Sequence, residues 1–418
     1  MTTNATQKTA YIVLAACVLL NLSIGVLYAW SVLTSVMTSP IASDGWGWTS
    51  SQAGLPFTVA IIVFATAMLF GGRLQDKIGP GRVAMVGGLL AGSGIILSGL
   101  VGNNVTGIVL SFGVLAGTGM GFGYGSVTPP ALKWFHPGKK GLISGLVVAG
   151  FGLSAVYFGP LTSTLLGRFG IQTTLLIIGV GVLLLSVTAS LFIKNPPPGY
   201  IPPVPANLKQ SAAKIAPAMD FARSEMLKTK RFYLMFIMFL LTASVGLMFI
   251  GNMTKIAQTQ AGITTATVLA MLVSFLAIMN TVGRVIGGMI SDKIGRIKTL
   301  YMVFILQMLN MGAFMFYQNL PMLIIGIIGV GFCFGTLLSV FPALTADQYG
   351  LKNIGANYGI MFMAWGFAGV VAPVIANYLY DIYGNFNTAY IICAVMMAAM
   401  IFVNFLLQKD IARAKNLI

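Results

Sequence analysis

The feature that most restricts how this chain can fold is a series of twelve apolar runs, each about 20 residues long, the length an α-helix needs to cross a bilayer core. They lie near 10–36, 52–70, 83–101, 107–130, 141–165 and 172–193, then near 232–257, 264–290, 299–317, 321–345, 355–379 and 387–408. Lipid offers no partner for backbone N–H and C=O groups, so such runs fold as helices that satisfy themselves. Composition agrees, since 57% of the residues are hydrophobic and 8% charged, against about 25% charged in soluble domains. The expected class is an all-α integral membrane protein of twelve transmembrane helices in two six-helix repeats, 1–193 and 232–418. Residues 1–10 are polar and the first apolar run is too long for a signal-peptide core, so no cleaved leader is expected.

A second feature divides the chain in half. Gly71-Gly72-Arg73-Leu74-Gln75-Asp76-Lys77-Ile78-Gly79 returns as Gly287-Gly288-Met289-Ile290-Ser291-Asp292-Lys293-Ile294-Gly295, each copy between the second and third helix of its group. A duplicated half is the simplest origin. Paired glycines let helices pack closely, Asp76 and Asp292 can accept from a helix N-terminus, and basic residues hold the turn at an anionic surface. Asp76, Lys77, Asp292 and Lys293 are therefore candidates for a conformational latch. The shared pattern Gly-x-x-x-Asp-Lys-x-Gly resembles the loop signature of the major facilitator superfamily. That resemblance implies its fold and is silent on substrate.

Between the halves, 194–231 is the one long polar segment. Its start carries Pro196, Pro197, Pro198, Pro202, Pro203 and Pro205 and excludes regular helix. Asp220 to Lys230 reads as a short amphipathic helix on the cytoplasmic surface. The net charge of +16 could suggest nucleic acid, but the basic residues sit in alternate loops. The turns after helices 2, 4, 6, 8 and 10 and the C-terminal tail are basic, while the opposite loops hold only Arg168 and Lys255. By the positive-inside rule both termini are cytoplasmic in an inner, plasma-type membrane, with the lipid bilayer rather than nucleic acid as the surrounding partner. A monomer is expected.

Cys17, Cys333 and Cys393 all lie in apolar runs, and His136 is the only histidine. Neither a disulfide framework nor a metal site is indicated. No nucleophile and base occur at a recognisable spacing, so neither catalysis nor a cofactor is expected. The glycine-rich stretch Gly117 to Gly125 sits inside a membrane helix rather than after a strand, and suits close packing rather than phosphate.

One charge stands apart. Arg284 falls inside an apolar run, whereas the eight acidic residues map to loops or helix ends. An arginine at membrane depth costs a few kcal/mol, and is normally paired or turned to a water-filled cavity. With no carboxylate at its depth in the sequence, the missing partner is expected to be the cargo's, gripped by two parallel hydrogen bonds. The competing possibility is that Arg284 snorkels toward Asp292, eight residues on, about 12 Å at ~1.5 Å per residue. Asn280, one turn earlier on the same face, could bond Arg284 or the ligand. Tyr28, Trp30, Tyr124 and Trp365 could line a cavity or serve only as packing or interfacial anchors.

Further residues narrow the resemblance to the oxalate/formate antiporter family and its relatives, the monocarboxylate transporters. Gly25-Val26-Leu27-Tyr28-Ala29-Trp30 is similar to the family's helix 1 signature. Lys133-Trp134-Phe135 through Lys139-Lys140-Gly141-Leu142-Ile143-Ser144-Gly145 resembles the loop and start of helix 5. Glu225-Met226-Leu227-Lys228-Thr229 with Phe232, Phe341-Pro342 with Asp347, and Asn357-Tyr358-Gly359 resemble the start of helix 7 and the ends of helices 10 and 11. The resemblance implies that Arg284 binds the substrate carboxylate. It also carries two departures. Animal monocarboxylate transporters have Asp where this chain has Asn280 and a helix 1 lysine absent here, so their proposed proton relay is missing. The oxalate exchanger has a helix 11 lysine where this chain has Trp365.

One cation suits one carboxylate, because a dianion would stay half uncompensated in a poorly hydrated site. Phe334 and Leu338 in helix 10, with Trp365, suit the carbon skeleton of a short acid, and Tyr124 and Tyr28 its oxygens. The expected function is secondary active transport of a small monocarboxylate such as lactate or pyruvate, with proton symport by alternating access. Carboxylate exchange, or a sensor that binds acids without moving them, are the alternatives.

Overall fold

The computed structural model describes residues 3–43, 45–203 and 220–415, and among these only helices, turns and irregular segments occur. Eleven elements are long and apolar enough to cross a membrane. The longest, Pro137–Ser190, turns at Gly170 (φ 72) and supplies two membrane helices, so the twelve expected segments are present. In chain order α1 comprises Thr3–Ile24, a 3-10 turn at Gly25–Ala29, and Trp30–Met37. Then follow α2 (Ser50–Ile78), α3 (Pro80–Val101), α4 (Val105–Trp134), α5 (140–169) and α6 (171–190). The second set is α7 (Lys230–Ala261), α8 (Ala266–Ile294), α9 (Arg296–Phe314), α10 (Leu320–Tyr349), α11 (Ile354–Tyr383) and α12 (Asn387–Lys415).

Helix starts follow local chemistry. Thr49 accepts from Gln52 N–H while Gln52 accepts from Thr49 N–H, a reciprocal cap on α2. Asn104 and Asn319 each accept from the N–H three residues on, opening α4 and α10. In both copies of the repeated turn the last glycine, Gly79 or Gly295, takes positive φ (97° and 92°) and hands one helix to the next. A side chain would be strained there, so both copies need glycine.

The linker differs from expectation. Within 220–229 only Arg223–Met226 is helical, a single turn on which Glu225 accepts from Ala222 N–H at 2.6 Å. A turn this short cannot present an amphipathic face. Residues 204–219 of the linker lie outside the described set.

The chain divides into two compact units. The first is Met1–Pro137, Val147–Ile215 and Leu351–Gly366; the second is Gly138–Leu146, Ala216–Gly350 and Phe367–Ile418. Beside the expected halves 1–193 and 232–418, the first turns of α5 join the second unit and the first part of α11 joins the first. Close helix contacts are responsible. A Cβ on Gly72 would lie 2.1 Å from Gly355 O in the first unit, and one on Gly288 would lie 2.2 Å from Gly141 O in the second. The second glycine of each repeat copy thus lets backbone meet backbone.

The first unit carries the irregular backbone. At the break in α1, Leu22 O accepts from Tyr157 Oη (2.8 Å) and Gly25 O from Ser154 Oγ (3.0 Å), so α5 hydroxyls hold the carbonyls around the turn. Helix α4 is π-helical over Val109–Ala116 and turns again after Gly125. Such bulges recur at functional sites.

Candidate functional site

In the second unit Arg284 lies on α8 with 1% of its surface exposed, and its Nε donates to Asn280 Oδ1 at 3.0 Å. A snorkelling arginine would carry its guanidinium out to the helix end; this one stays folded against its own preceding turn. Asn280 is itself buried, and its bond orients the plane of the guanidinium.

Two neighbouring helices grip that turn of α8. A Cβ on Gly335 of α10 would sit 1.9 Å from Asn280 O, and one on Gly145 of α5 would sit 2.2 Å from Arg284 O. Thr336 Oγ1 donates to Gly283 O at 3.2 Å, and Ser144 Oγ donates to Ser339 O at 2.6 Å. The backbone from Asn280 to Arg284 is thereby fixed, which is what a binding arginine needs if it is to meet a ligand without reorganising. Phe334 and Leu338 are buried on α10, and the Phe334 ring lies against Gly246 of α7. Phe334 therefore also packs α10 on α7.

In the first unit Tyr124 belongs to an aromatic cluster. Its ring lies 5.5 Å from Phe64, 5.3 Å from Phe151 and 5.1 Å from Phe362. Trp365 stacks on Phe362 at 5.0 Å and meets Phe64 edge-on at 5.8 Å. Phe64, Phe151 and Phe362 were not singled out from sequence; the spacing of Phe362 and Trp365 on one helix face was the available signal. Tyr28 falls in the 3-10 turn of α1, and its side chain is outside the described set. Trp30 donates to Ala53 O and lies against Phe112 with the two rings tilted, joining α1 to its neighbours.

The repeated turns each carry an aspartate onto a helix N-terminus. Asp292 Oδ1 accepts from Gly141 N–H (2.8 Å) and Oδ2 from Leu142 N–H (2.7 Å), at the start of α5. Asp76 Oδ2 accepts from Ala356 N–H (2.8 Å) at the start of α11. The lysines of the motif play no part in these clasps, because Lys77 and Lys293 are exposed. Their places are taken by cations from elsewhere. Arg296 pairs with Asp292 (2.7 Å) and Asp347 (2.9 Å), Lys140 with Asp347 (2.8 Å), and Lys133 with Asp76 (3.8 Å). A lysine directly after the aspartate points a further 100° or so around the helix, away from the face that meets the neighbour.

The sequence profile of the Major Facilitator Superfamily matches residues 19–318 and 308–417. The chain belongs to that superfamily. It is similar to the uncharacterised MFS-type transporter YhjX of Escherichia coli (29% identity over 88% of each chain). It is also similar to the oxalate:formate antiporter of Oxalobacter formigenes (28%, over 92% of this chain and 88% of that one). Among solved structures, the Escherichia coli fucose:proton symporter FucP superposes with a TM-score of 0.71 at 14% identity, over 96% of this chain and 99% of its own. This is a multi-pass membrane protein of a transporter family and not an enzyme.

Proposed function

We propose that this protein is a secondary active transporter of small monocarboxylates of lactate or pyruvate size, in a plasma-type membrane with both termini cytoplasmic. The observation that carries the reading is Arg284, an arginine buried at membrane depth whose Nε is held by Asn280. Its Nη groups supply donors for a carboxylate, and the fixed plane favours a two-point grip. The names of relatives support an acid as cargo: beside the oxalate:formate antiporter stands monocarboxylate transporter 13 of Rattus norvegicus, 25% identical over 82% of this chain. Arg284 is the one basic residue well inside an apolar run, since Lys255 stands at the end of its own, which favours a monoanion over a dianion. Asn280 positions the arginine, Phe334, Leu338 and the aromatic cluster around Trp365 suit a short carbon skeleton, and Tyr124 and Tyr28 are assigned to the acid's oxygens. Asp76 and Asp292, with Lys133 and Arg296, act as clasps that hold one transport state.

Transport by alternating access is coupled to a proton in this reading. The oxalate:formate relative favours a second possibility, exchange of one carboxylate for another. Uptake of labelled lactate into liposomes bearing the purified protein separates the two. Symport gives uptake driven by an inward proton gradient into empty vesicles; exchange gives uptake only where carboxylate is preloaded. No lactate flux in either arrangement overturns the monocarboxylate reading.

A further inference from the structure

The two copies of the repeated turn build the same ladder of contacts, and the ladders end differently. In the second unit, Asp292 accepts from Gly141 and Leu142 N–H at the start of α5. One turn back on α8, Gly288 meets Gly141 with no room for a Cβ on either; a further turn back, Gly145 meets the carbonyl of Arg284 just as closely. In the first unit, Asp76 accepts from Ala356 N–H at the start of α11, Gly72 meets Gly355, and Gly359 lies against the carbonyl of Met68. The rungs are four residues apart along α8 and along α2, one face of each helix. Arg284 and Met68 therefore hold matching places, each eight residues before its aspartate. Both are buried, but only the arginine can hold an anion.

The second ladder is also the more firmly tied. Arg296 and Lys140 join Asp292 and Asp347 in one charge network at its foot. Between the lower rungs and the upper one, Ser144 Oγ donates to Ser339 O of α10 at 2.6 Å. On the other side of the same turn of α8, Gly335 presses on Asn280 O and Thr336 Oγ1 donates to Gly283 O. The backbone of Arg284 thus lies between α10 and the first turns of α5. Release of the clasp frees the α5 side. A binding side chain held in its productive place needs less reorganisation on binding, which raises affinity.

We propose that the Asp292 clasp sets the affinity of Arg284 for its carboxylate, with Asp292, Ser144 and Gly145 as positioning residues, and that the Asp76 clasp has no such effect. This rests on the monocarboxylate reading of Arg284. Seating the start of α5 on α8 and binding the acid favour each other, and such coupling is reciprocal. Whatever factor release of the clasp removes from carboxylate affinity, bound carboxylate removes from release of the clasp. The two copies of one turn have then parted in role: one ladder ends on the ligand's partner and the other on a methionine.

Hydrogen exchange of the wild-type protein, with and without saturating lactate, reads the coupling with no substitution. The peptide over 138–146 should exchange about 5- to 20-fold more slowly with lactate, while the peptide over 353–360, which carries the first unit's clasp, stays within about 2-fold. Equilibrium binding of labelled lactate gives a second reading. Asp292→Lys sets a cation against Arg296 and holds the clasp open, so the Kd should rise by about the same 5- to 20-fold, whereas Asp76→Lys should leave it within about 2-fold. Should Asp292→Lys fail to fold, the wild-type exchange decides alone. Lactate that binds without slowing 138–146, or that slows both peptides alike, overturns the proposal and leaves the carboxylate grip standing. So does a folded Asp292→Lys with wild-type Kd, or an Asp76→Lys that weakens binding equally. Wild type that does not bind lactate overturns both.

Discussion

Replacing Asp292 by Asn tests the clasp at the start of α5. The native carboxylate spreads its two oxygens over two N–H groups, Gly141 at 2.8 Å and Leu142 at 2.7 Å, while Arg296 binds Oδ1 at 2.7 Å. Asparagine keeps one acceptor oxygen. Its amide nitrogen is then set against a second N–H, so one backbone donor loses its partner, at about 1–3 kcal/mol. The negative charge at a helix N-terminus is lost as well, worth about 0.3–1 kcal/mol when exposed and up to ~2 when part-buried. Together these amount to roughly 2–4 kcal/mol, or about a 30- to 700-fold change in the opening equilibrium of that turn. Hydrogen exchange followed by mass spectrometry on the peptide covering 138–146 reads this directly, in protein that elutes as wild type on size exclusion. Exchange should accelerate in that peptide and stay near wild type in the α12 peptides. Asp76→Asn should act more weakly at the start of α11, since the cation of Asp76 stands at 3.8 Å, against 2.7 Å for that of Asp292. Unchanged protection of 138–146 in Asp292→Asn would refute the clasp as a source of local stability.

Two further substitutions probe the site. Asn280→Asp places a carboxylate where the amide oxygen now sits, 3.0 Å from Arg284 Nε; the arginine gains an internal counter-ion, and the KM for lactate at neutral pH should rise about 10- to 100-fold. Gly145→Ala sets a methyl 2.2 Å from Arg284 O; backbone cannot yield there, so thermal stability in detergent should fall, by about 1–3 kcal/mol or more.

What could be read before the structure was whatever the bilayer imposes. Twelve apolar runs dictate twelve helices because lipid permits little else, and the duplicated turn locates the halves because both copies keep the glycine that allows positive φ. Arg284 and Asn280 were legible because a charge in an apolar run is costly and one helical turn relates the two. The remainder depends on contacts between helices, which no single run encodes. Lys77 and Lys293 are fixed by sequence beside the aspartates, yet the pairing cations come from Lys133 and Arg296. The clusters of Phe64, Phe151 and Phe362 read as ordinary membrane aromatics until packing gathers them around Tyr124. Asp220 to Lys230 had the composition of an amphipathic helix, but before α7 begins at Lys230 only Arg223–Met226 is helical there; too few apolar positions recur for a longer face to be buried.

The central claim is that Arg284 grips a carboxylate by a planar, two-point contact, and the most direct measurement is lactate uptake by Arg284→Lys, with lactamide as a neutral competitor. Lysine keeps the charge and loses both the fork and the bond to Asn280, so the KM should rise about 10- to 100-fold, the value of one charge-assisted hydrogen bond. Lactamide, lacking the carboxylate, should not compete in wild type. A lysine variant with wild-type KM, or lactamide that competes as well as lactate, would contradict the account.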